Sequence, residues 1–415
     1  MELLSSFFDS HFRYRSAPRR AGDILDDALV SFEDDTIVIR EASTRQIRDA
    51  LAYKDVVAVN YGDSSLQALL YRKGAFIQIT VLEMKNKSCT SSAGRQRRDI
   101  VLERLDSEDT NNCNGRASVD LVAAALLHTA LGDLDTMVDS GSECPTKTRV
   151  LVIINPISGK GKAMDMYTSI AKPLFELCQD RFMIEEVVTE SAEHTKQVAM
   201  ESADKFDTFV FCGGDGLVHD FLQGIFKLPD YRAVLNNITL GFLLAGSGNG
   251  LACSCAFASE GEFDLNPKSY VGDFQVALRL ILRGRTSALD AAQIDVRDTS
   301  TGEQQKASVL ACLSASWGLF SDVDLGSDHL RFLGGARFTL YALWRIINIR
   351  KYSGRISYIE ASDELNNKPL KALPDTSNPL WKTQQGDFAG VLVVNVSHSA
   401  ADLMAAPERK LDDGQ

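Results

Sequence analysis

Hydrophobic and polar positions follow different patterns in three stretches of the chain. In residues 1–145, short apolar runs such as Thr36–Ile39, Val56–Asn60 and Phe76–Leu82 are separated by polar turns. A helical pattern follows near Asp120–Leu131. This alternation predicts a small N-terminal module that is mostly β-structure and is followed by a polar linker.

The middle stretch, residues 146–287, has a different pattern. Continuous apolar runs at 149–155, 182–189, 206–212 and 238–245 alternate with helical patterns. Such runs are typical of buried parallel strands that are joined by crossover helices. They therefore predict an α/β domain built on a parallel sheet.

The last stretch, residues 288–415, returns to strand-like runs and predicts an antiparallel, β-sandwich-like domain. One long apolar helix interrupts the strands at about 328–351. Its periodicity leaves two interpretations open, a buried core helix or the roof of an acyl-chain tunnel with a hinge at Gly334–Gly335.

Charge and cysteine content exclude several classes of protein. The 44 Lys and Arg residues against 56 Asp and Glu residues leave a net charge of −12, which argues against nucleic-acid binding. Only Cys253 and Cys255 lie close together, so neither a zinc site nor a disulfide framework is predicted. The N-terminus lacks the pattern of a secretion signal, and no apolar run approaches the roughly 20 residues of a spanning helix. We therefore expect a cytoplasmic protein.

Three glycine-rich turns follow apolar strands of the middle stretch. They are NPISGKGKA at 155–163, CGGDGLVHD at 212–220 and LAGSGNGLA at 244–252. Backbone N–H groups at such turns, beside helix N-termini, bind phosphate groups. The spacing fits neither the P-loop nor the dinucleotide fingerprint, which leaves another mode of mononucleotide binding.

Asp215 lies inside the second turn, between Gly214 and Gly216. One interpretation is an N-cap that accepts hydrogen bonds from the first turn of its own helix. The other is a carboxylate beside bound phosphates, which takes the proton of an attacking hydroxyl or holds a metal ion. The flanking glycines favour the second interpretation, because a cap does not need them.

The three turns, in this order and spacing, resemble the diacylglycerol-kinase-type catalytic domain. The stretch LSASWGLFSDVDLGSDHLRFLGGARFTL at 313–340 is similar to the sphingosine (sphingoid long-chain base) kinases. The resemblance covers residues 149–350 well and 386–414 more loosely. It implies transfer of phosphate from ATP, with Mg²⁺, to the primary hydroxyl of sphingosine, dihydrosphingosine or phytosphingosine. It also implies that residues 288–415 form the lipid-binding domain.

The resemblance implies roles for single residues as well. Asp215 takes the place of the catalytic base, and Ser314 and Asp324 match contacts to the lipid head group. The residues that match nucleotide contacts are Asn155, Pro156, Ser158, Gly159, Lys160, Thr189, Glu190, Gly213, Gly214, Gly216, Gly246, Ser247, Gly248, Arg331 and Arg337. No metal-binding residue and no oligomeric state is assigned.

The acidic residues support a sphingoid base by a separate argument. Asp322, Asp324 and Asp328, with Asp290 or Asp295, face few basic residues in the sequence. They predict an acidic pocket that suits an ammonium group, which diacylglycerol and ceramide lack. Two alternatives stay open, a catalytically impaired nucleotide- or lipid-binding relative and a ceramide or diacylglycerol kinase.

Two further expectations concern membranes and the C-terminus. Basic runs predict solvated loops or contacts with anionic lipid, and we expect peripheral association with membranes. These runs contain Arg13, Arg15, Arg19, Arg20, Lys85, Lys87, Arg95, Arg97 and Arg98. The family has an Asp-Gly-Glu triplet near its C-terminus, which this sequence lacks. The resemblance therefore predicts a C-terminally shortened chain with weakened ATP binding and low turnover.

Overall fold

The structure is a computed structural model. It describes residues 12–17, 24–33, 36–41, 43–52, 56–61, 76–84, 95–104, 147–179, 181–260, 274–298, 305–333, 336–359 and 381–414. The chain divides into two compact units. One comprises Met1–Thr148, Thr168–Ile184 and Gln275–Arg285, and the other comprises Arg149–Tyr167, Glu185–Phe274 and Thr286–Gln415.

Seven antiparallel strands form a single sheet in the first unit. They are β1 (Phe12–Ala17), β2 (Ile24–Glu33), β3 (Thr36–Glu41), β4 (Ile47–Ala52), β5 (Val56–Tyr61), β6 (Phe76–Met84) and β7 (Arg95–Arg104). Their order across the sheet is β4-β3-β2-β1-β7-β6-β5. The predicted N-terminal β-structure is thus confirmed, and the predicted helix at Asp120–Leu131 lies outside the described residues.

This sheet curls back on itself. The strands β4 and β5 lie at its opposite edges, yet β4 ends at Ala52 and β5 begins at Val56. Four steps along the chain span at most about 14 Å. Seven strands laid flat would separate the two edges by about 29 Å. Curling encloses an apolar core that includes Ile37, Ile39 and Leu51.

The prediction of basic loops is wrong for part of the N-terminal module. Arg95, Arg97 and Arg98 lie in β7, because backbone pairing with β6 continues as far as the pair Met84–Arg95. Two more of these arginines lie in β1. The remaining basic residues of the two runs, Arg19, Arg20, Lys85 and Lys87, lie outside the described residues.

The predicted parallel sheet is confirmed. It contains β8 (Thr148–Ile154), β9 (Phe182–Val188), β10 (Thr208–Gly213) and β11 (Thr239–Leu244), in the order β11-β10-β8-β9. The strand β10 is parallel to both of its neighbours. Its side chains from Phe209 to Cys212 are buried, as the continuous apolar run requires.

Helices follow and connect these strands along the chain. They are α1 (Ser158–Gly161), α2 (Ala163–Met166), α3 (Lys172–Leu177), α4 (Ala192–Ser202), α5 (Asp215–Phe226), α6 (Tyr231–Asn237), α7 (Gly250–Glu260) and α8 (Phe274–Arg283), with a π-helical turn at Tyr167–Ala171. The ring of Phe221 in α5 lies 4.7 Å from that of Phe209 and 5.1 Å from that of Phe211. This aromatic packing fixes α5, and with it Asp215 at its first turn, against β10.

The C-terminal part contains short antiparallel pairs. The strands are β12 (Ala292–Asp298), β13 (Gln305–Ala311), β14 (Ser314–Gly318), β15 (Tyr352–Ile359), β16 (Trp381–Phe388), β17 (Gly390–Val394), β18 (His398–Ala400) and β19 (Leu403–Met404). They pair as β12-β13, β14-β17, β15-β16 and β18-β19. The antiparallel pairing is confirmed, whereas a β-sandwich with a lipid-binding role stays a prediction.

The single long helix predicted at 328–351 is wrong. The chain forms α9 (Leu319–Gly326), a 3-10 helix at Asp328–Leu333 and α10 (Ala336–Ile347). At Leu330 the backbone leaves helical geometry, with φ −99° and ψ 17°, so an apolar pattern that runs through the whole segment does not produce one helix. The proposed hinge Gly334–Gly335 lies outside the described residues.

The apolar side chains of α10 are largely exposed. Leu340, Leu343, Trp344 and Ile347 are between 50% and 82% exposed. This excludes the interpretation of α10 as a fully buried core helix. Within the described ranges, no helix has both the length and the apolar character that crossing a bilayer requires.

Candidate active site

The three glycine-rich turns meet at the carboxyl ends of β8, β10 and β11. A Cβ atom at Gly159 of the first turn would lie 2.8 Å from the carbonyl oxygen of Ala245 in the third turn. A Cβ atom at Gly214 of the second turn would lie 3.2 Å from the Cα atom of Gly246. Because only glycine permits so close an approach of two backbones, these residues bring the turns together.

The first turn also adopts a backbone conformation that side chains disfavour. Gly159 and Lys160 have φ values of 60° and 62°, in the left-handed region. The side-chain oxygen of Asn155 accepts a hydrogen bond from the amide of Ile157 at 3.2 Å. The amide of Asn155 donates to the carbonyl of Cys212 at 3.1 Å. Asn155 thus holds the first turn against the end of β10.

Asp215 joins the second turn to the third. Its Oδ2 accepts a hydrogen bond from the amide of Gly250 at 2.9 Å, and its Oδ1 accepts one from the amide of Leu251 at 3.0 Å. Gly250 and Leu251 open α7, so Asp215 caps a neighbouring helix rather than its own. The capping interpretation is therefore partly correct, with a different helix as its target.

Burial affects the protonation of this carboxyl group. Burial raises the pKa of Asp215 above its ordinary value, and the hydrogen bonds from Leu251 and Gly250 partly offset that rise. A carboxyl group with a raised pKa is a stronger proton acceptor when it is ionised. The site therefore contains a half-buried and oriented carboxylate with the properties of a general base.

The surface of the second turn is open beside this carboxylate. Gly216 is exposed, and no atom lies within 4 Å of the position that its Cβ would occupy. Packing therefore does not require glycine here, and the open space beside Gly216 leaves room for a ligand to approach the backbone. The N-terminal end of α5 lies at the same point, which favours an anionic ligand such as a phosphate group. The residues present thus fit a nucleotide triphosphate.

A second group of predicted residues lies in the C-terminal part. The guanidinium of Arg337, which is 8% exposed, pairs with Asp328 at 3.1 Å and with Asp324 at 3.7 Å. The sequence predicts different ligands for Asp324 and Arg337, yet these two side chains contact each other. Ser314 begins β14 and pairs with Val394. Arg331 lies in the 3-10 helix, and its side chain is outside the described part of the structure.

The sequence predicts an acidic pocket with few basic residues near it, and this prediction is wrong for most of its acids. Asp322 accepts hydrogen bonds from the buried Arg345 and from Tyr352. The remaining two acids lie elsewhere, since Asp295 accepts a hydrogen bond from Ser308 in the β12-β13 pair and Asp290 accepts one from Gly414. Arg337 and Arg345 thus neutralise the three acids of 322–328, and Asp324 has the longest of these ion pairs.

Comparison with known proteins identifies the family. Residues 149–294 match the family model of the diacylglycerol kinase catalytic domain. Sphingosine kinase 1 of Rattus norvegicus is 30% identical over 290 residues, which are 65% of this chain and 71% of the rat protein. The chain belongs to the sphingosine kinase family. The resemblance seen in the glycine-rich turns is thereby confirmed.

Other relatives match a similar part of the chain. Sphingosine kinase 1 of Homo sapiens is 30% identical over 63% of this chain and 69% of the human protein. Sphingosine kinase 1 of Arabidopsis thaliana is 31% identical, and this chain spans 55% of the plant protein's length. A solved diacylglycerol kinase structure from Bacillus anthracis str. Sterne aligns over 65% of this chain and 71% of that chain, with 17% identity and a TM-score of 0.40.

Several residues that the sphingosine kinase resemblance assigns to the nucleotide have structural contacts. The hydroxyl of Thr189 is buried and donates to the carbonyl of Ile154 at 3.3 Å. The amide of Ser158 donates to the carbonyl of Asn155. Glu190, Lys160 and Ser247 are exposed at the ends of their turns. Their roles toward a nucleotide stay predictions.

Sequence reasoning missed Asn249. Its φ is 60°, its Oδ1 accepts from the amide of Gly246 at 2.8 Å, and its Nδ2 donates to the carbonyl of Gly246 at 2.9 Å. Asn249 thus closes the third turn on itself. The signal was present, because asparagine tolerates the left-handed region and follows directly after the glycines.

Mg²⁺ has no ready-made protein site in the described ranges. They contain no cluster of three His, Cys, Asp or Glu side chains arranged to hold a metal ion. Both oxygens of Asp215 already accept backbone hydrogen bonds. The donor set therefore does not fit a dedicated magnesium cage, and in such sites Mg²⁺ binds largely through substrate phosphates and water.

We expect Asp215→Asn to lower the free energy of unfolding by about 1–3 kcal/mol. The Asn side chain has one acceptor oxygen and one NH₂ group. One of the two amides of α7 would therefore face another donor and lose its hydrogen bond. Urea unfolding measures the loss. Asp220→Asn on the same helix is the control and should stay within about 0.5 kcal/mol of the wild type. An unchanged midpoint for Asp215→Asn would contradict the capping role.

Proposed function

We propose that this chain transfers the γ-phosphoryl group of ATP to the primary hydroxyl of a sphingoid base. The observation that carries the proposal is the position of Asp215, whose carboxylate lies where three glycine-rich turns meet. Membership of the sphingosine kinase family supports the lipid class, because its relatives carry that name.

Asp215 acts as the general base in this mechanism. The hydroxyl proton passes to the carboxylate while the hydroxyl oxygen forms a bond to the γ-phosphorus. The bond between the γ-phosphorus and the bridging oxygen breaks, and ADP leaves with that electron pair. The amides of Gly250 and Leu251 orient the carboxylate.

The glycine-rich turns hold the nucleotide. Backbone N–H groups of the first and second turns, near Gly159 and Gly216, bind the phosphate oxygens. Lys160 is exposed beside them and adds a positive charge.

Asp324 recognises the ammonium group of the lipid. Its side chain is 67% exposed, and its contact with Arg337 is long at 3.7 Å, so it retains the capacity to bind a second cation. The neighbouring Asp322 is held by Arg345 and Tyr352. This difference among the acids favours a sphingoid base over diacylglycerol or ceramide, which have no ammonium group.

We expect sphingosine, dihydrosphingosine and phytosphingosine to be phosphorylated with a kcat/KM about 10- to 100-fold above that for ceramide or diacylglycerol. A charge-assisted hydrogen bond to Asp324 is the physical reason. A labelled-ATP assay over the five lipids measures the ratio. Asp215→Asn should lower turnover by about 10²- to 10⁴-fold.

Two outcomes of this assay would contradict the proposal. Equal turnover of diacylglycerol would favour the alternative lipid kinase. Nucleotide binding without turnover of any of the five lipids would favour a catalytically impaired relative. A turnover that survives in Asp215→Asn would remove this residue from the role of base.

We expect Asp324→Asn to raise the KM for sphingosine by about 10- to 100-fold and to change the KM for ATP little. Asp328→Asn is the matched control, because Asp328 is also more than half exposed and contacts the same Arg337. Steady-state kinetics of both variants measures the effect. An equal rise in both would show that the loss acts through Arg337 and not through a head-group contact.

The exposed face of α10 supports peripheral contact with a membrane. Leu340, Leu343, Trp344 and Ile347 are spaced three and four residues apart, so they form one apolar stripe on the helix. Contiguous exposed apolar surface of this kind marks an interaction site. A kinase for a membrane-resident lipid gains access to its substrate when such a stripe inserts among acyl chains.

We expect Leu343→Gln to reduce binding to phosphatidylcholine vesicles by about 10- to 100-fold, because an inserted leucine contributes about 1.5–3 kcal/mol. Val393→Gln in β17 is the control, since Val393 is 61% exposed and Leu343 is 56% exposed. Vesicle sedimentation measures the bound fraction. Equal binding by both variants and the wild type would exclude the stripe as the membrane contact.

A further inference from the structure

We propose that Ser254 is a positioning residue for Asp215, and that it acts by fixing the first turn of α7 to the distant strand β18. The effect of Ser254 on catalysis rests on the proposed function, in which Asp215 is the general base. The hydroxyl of Ser254 is buried, and it donates to the carbonyl of Gly250 at 2.8 Å. It also accepts from the amide of His398 at 3.0 Å.

Gly250 connects this hydroxyl to the carboxylate. The amide of Gly250 donates to Asp215 Oδ2, and the carbonyl of the same residue accepts from Ser254. A displacement of Gly250 therefore moves one of the two hydrogen bonds that orient the carboxylate. Leu251, which donates the second hydrogen bond, is the next residue in the same helical turn.

The strand β18 lies directly against this turn. A Cβ atom at Gly250 would lie 2.8 Å from the carbonyl oxygen of His398 and 2.9 Å from that of Ser399. The amide of Ala401 donates to the carbonyl of Gly248 at 2.8 Å. Residues 398–401 thus hold the third glycine-rich turn from outside the parallel sheet.

His398 anchors that strand. Its ring contacts the ring of Phe257 in α7, with centroids 5.3 Å apart, and its Nδ1 lies 2.9 Å from the hydroxyl of Ser397. Burial lowers the pKa of His398, which keeps the ring neutral near pH 7.

The charge of the carboxylate is stabilised by backbone amides, and those of Asp215 itself and Asn249 add to those of Gly250 and Leu251. The thiols of Cys253 and Cys312 interact electrostatically with Asp215. Burial raises the pKa of both thiols to about 12, so they are neutral. Loss of hydrogen bonding from α7 would then raise the pKa of Asp215 further.

Ser254→Ala tests this role, with Ser202→Ala as the matched control. The hydroxyl of Ser202 is also buried and donates to the carbonyl four residues earlier, in α4. Asp215 is observed by ¹³C NMR of the carboxyl carbons, with its signal assigned from the Asp215→Asn variant. In Ser254→Ala we expect its titration midpoint to rise by about half a pH unit or more, and kcat to fall about tenfold.

The control separates positioning from general stability. Ser202→Ala should lower the melting temperature as Ser254→Ala does, and should leave the Asp215 midpoint unchanged. If Ser254→Ala does not fold, Ser254→Cys keeps the volume and weakens the hydrogen bonds, and a smaller rise in the midpoint is expected.

An unchanged Asp215 midpoint in a folded Ser254 variant would overturn the proposal, as would an equal shift in Ser202→Ala. The NMR measurement needs no turnover. If the wild type phosphorylates no lipid while the midpoint shifts as expected, the proposed function fails and the positioning role stands.

Discussion

The arrangement of the site depends on one interaction, the capping of α7 by the carboxylate of Asp215. The first amides of a helix have no partner within the helix, and a buried carboxylate without partners is costly. Asp215 satisfies both needs at once through Gly250 and Leu251. The second and third glycine-rich turns are thereby held together, and the base candidate has a fixed orientation.

Close backbone contacts make this interaction achievable. Gly214 and Gly246 allow the second and third turns to approach, and Gly159 brings the first turn to Ala245. Aromatic packing of Phe221 on β10 fixes the helix that begins at Asp215. Glycines that the sequence predicts to bind phosphate therefore also determine how the turns pack against each other. Gly216 differs from Gly159, Gly214 and Gly246, because the position of its Cβ is open.

Ion pairing in the C-terminal part distributes charge in a way that the sequence conceals. All charged residues of 322–328 are acids, yet Arg337 and Arg345 of α10 form ion pairs with them. Partial burial makes these pairs structural, since the side chains of both arginines are at most 8% exposed. The same helix exposes its apolar stripe, so α10 uses its charged residues internally and its apolar residues at the surface.

The sequence by itself determined the parallel sheet, the three turns after its strands and the place of Asp215 at a strand end. These features follow from local patterns, because buried strands require continuous apolar runs and tight turns require glycine. The tertiary structure decided which helix Asp215 caps, which acids remain available and how β18 holds α7. These contacts join residues 35 and 144 positions apart, and such pairings leave no periodic signal in the chain. The long helix was misjudged for a related reason, since hydrophobic periodicity does not register the change in backbone geometry at Leu330.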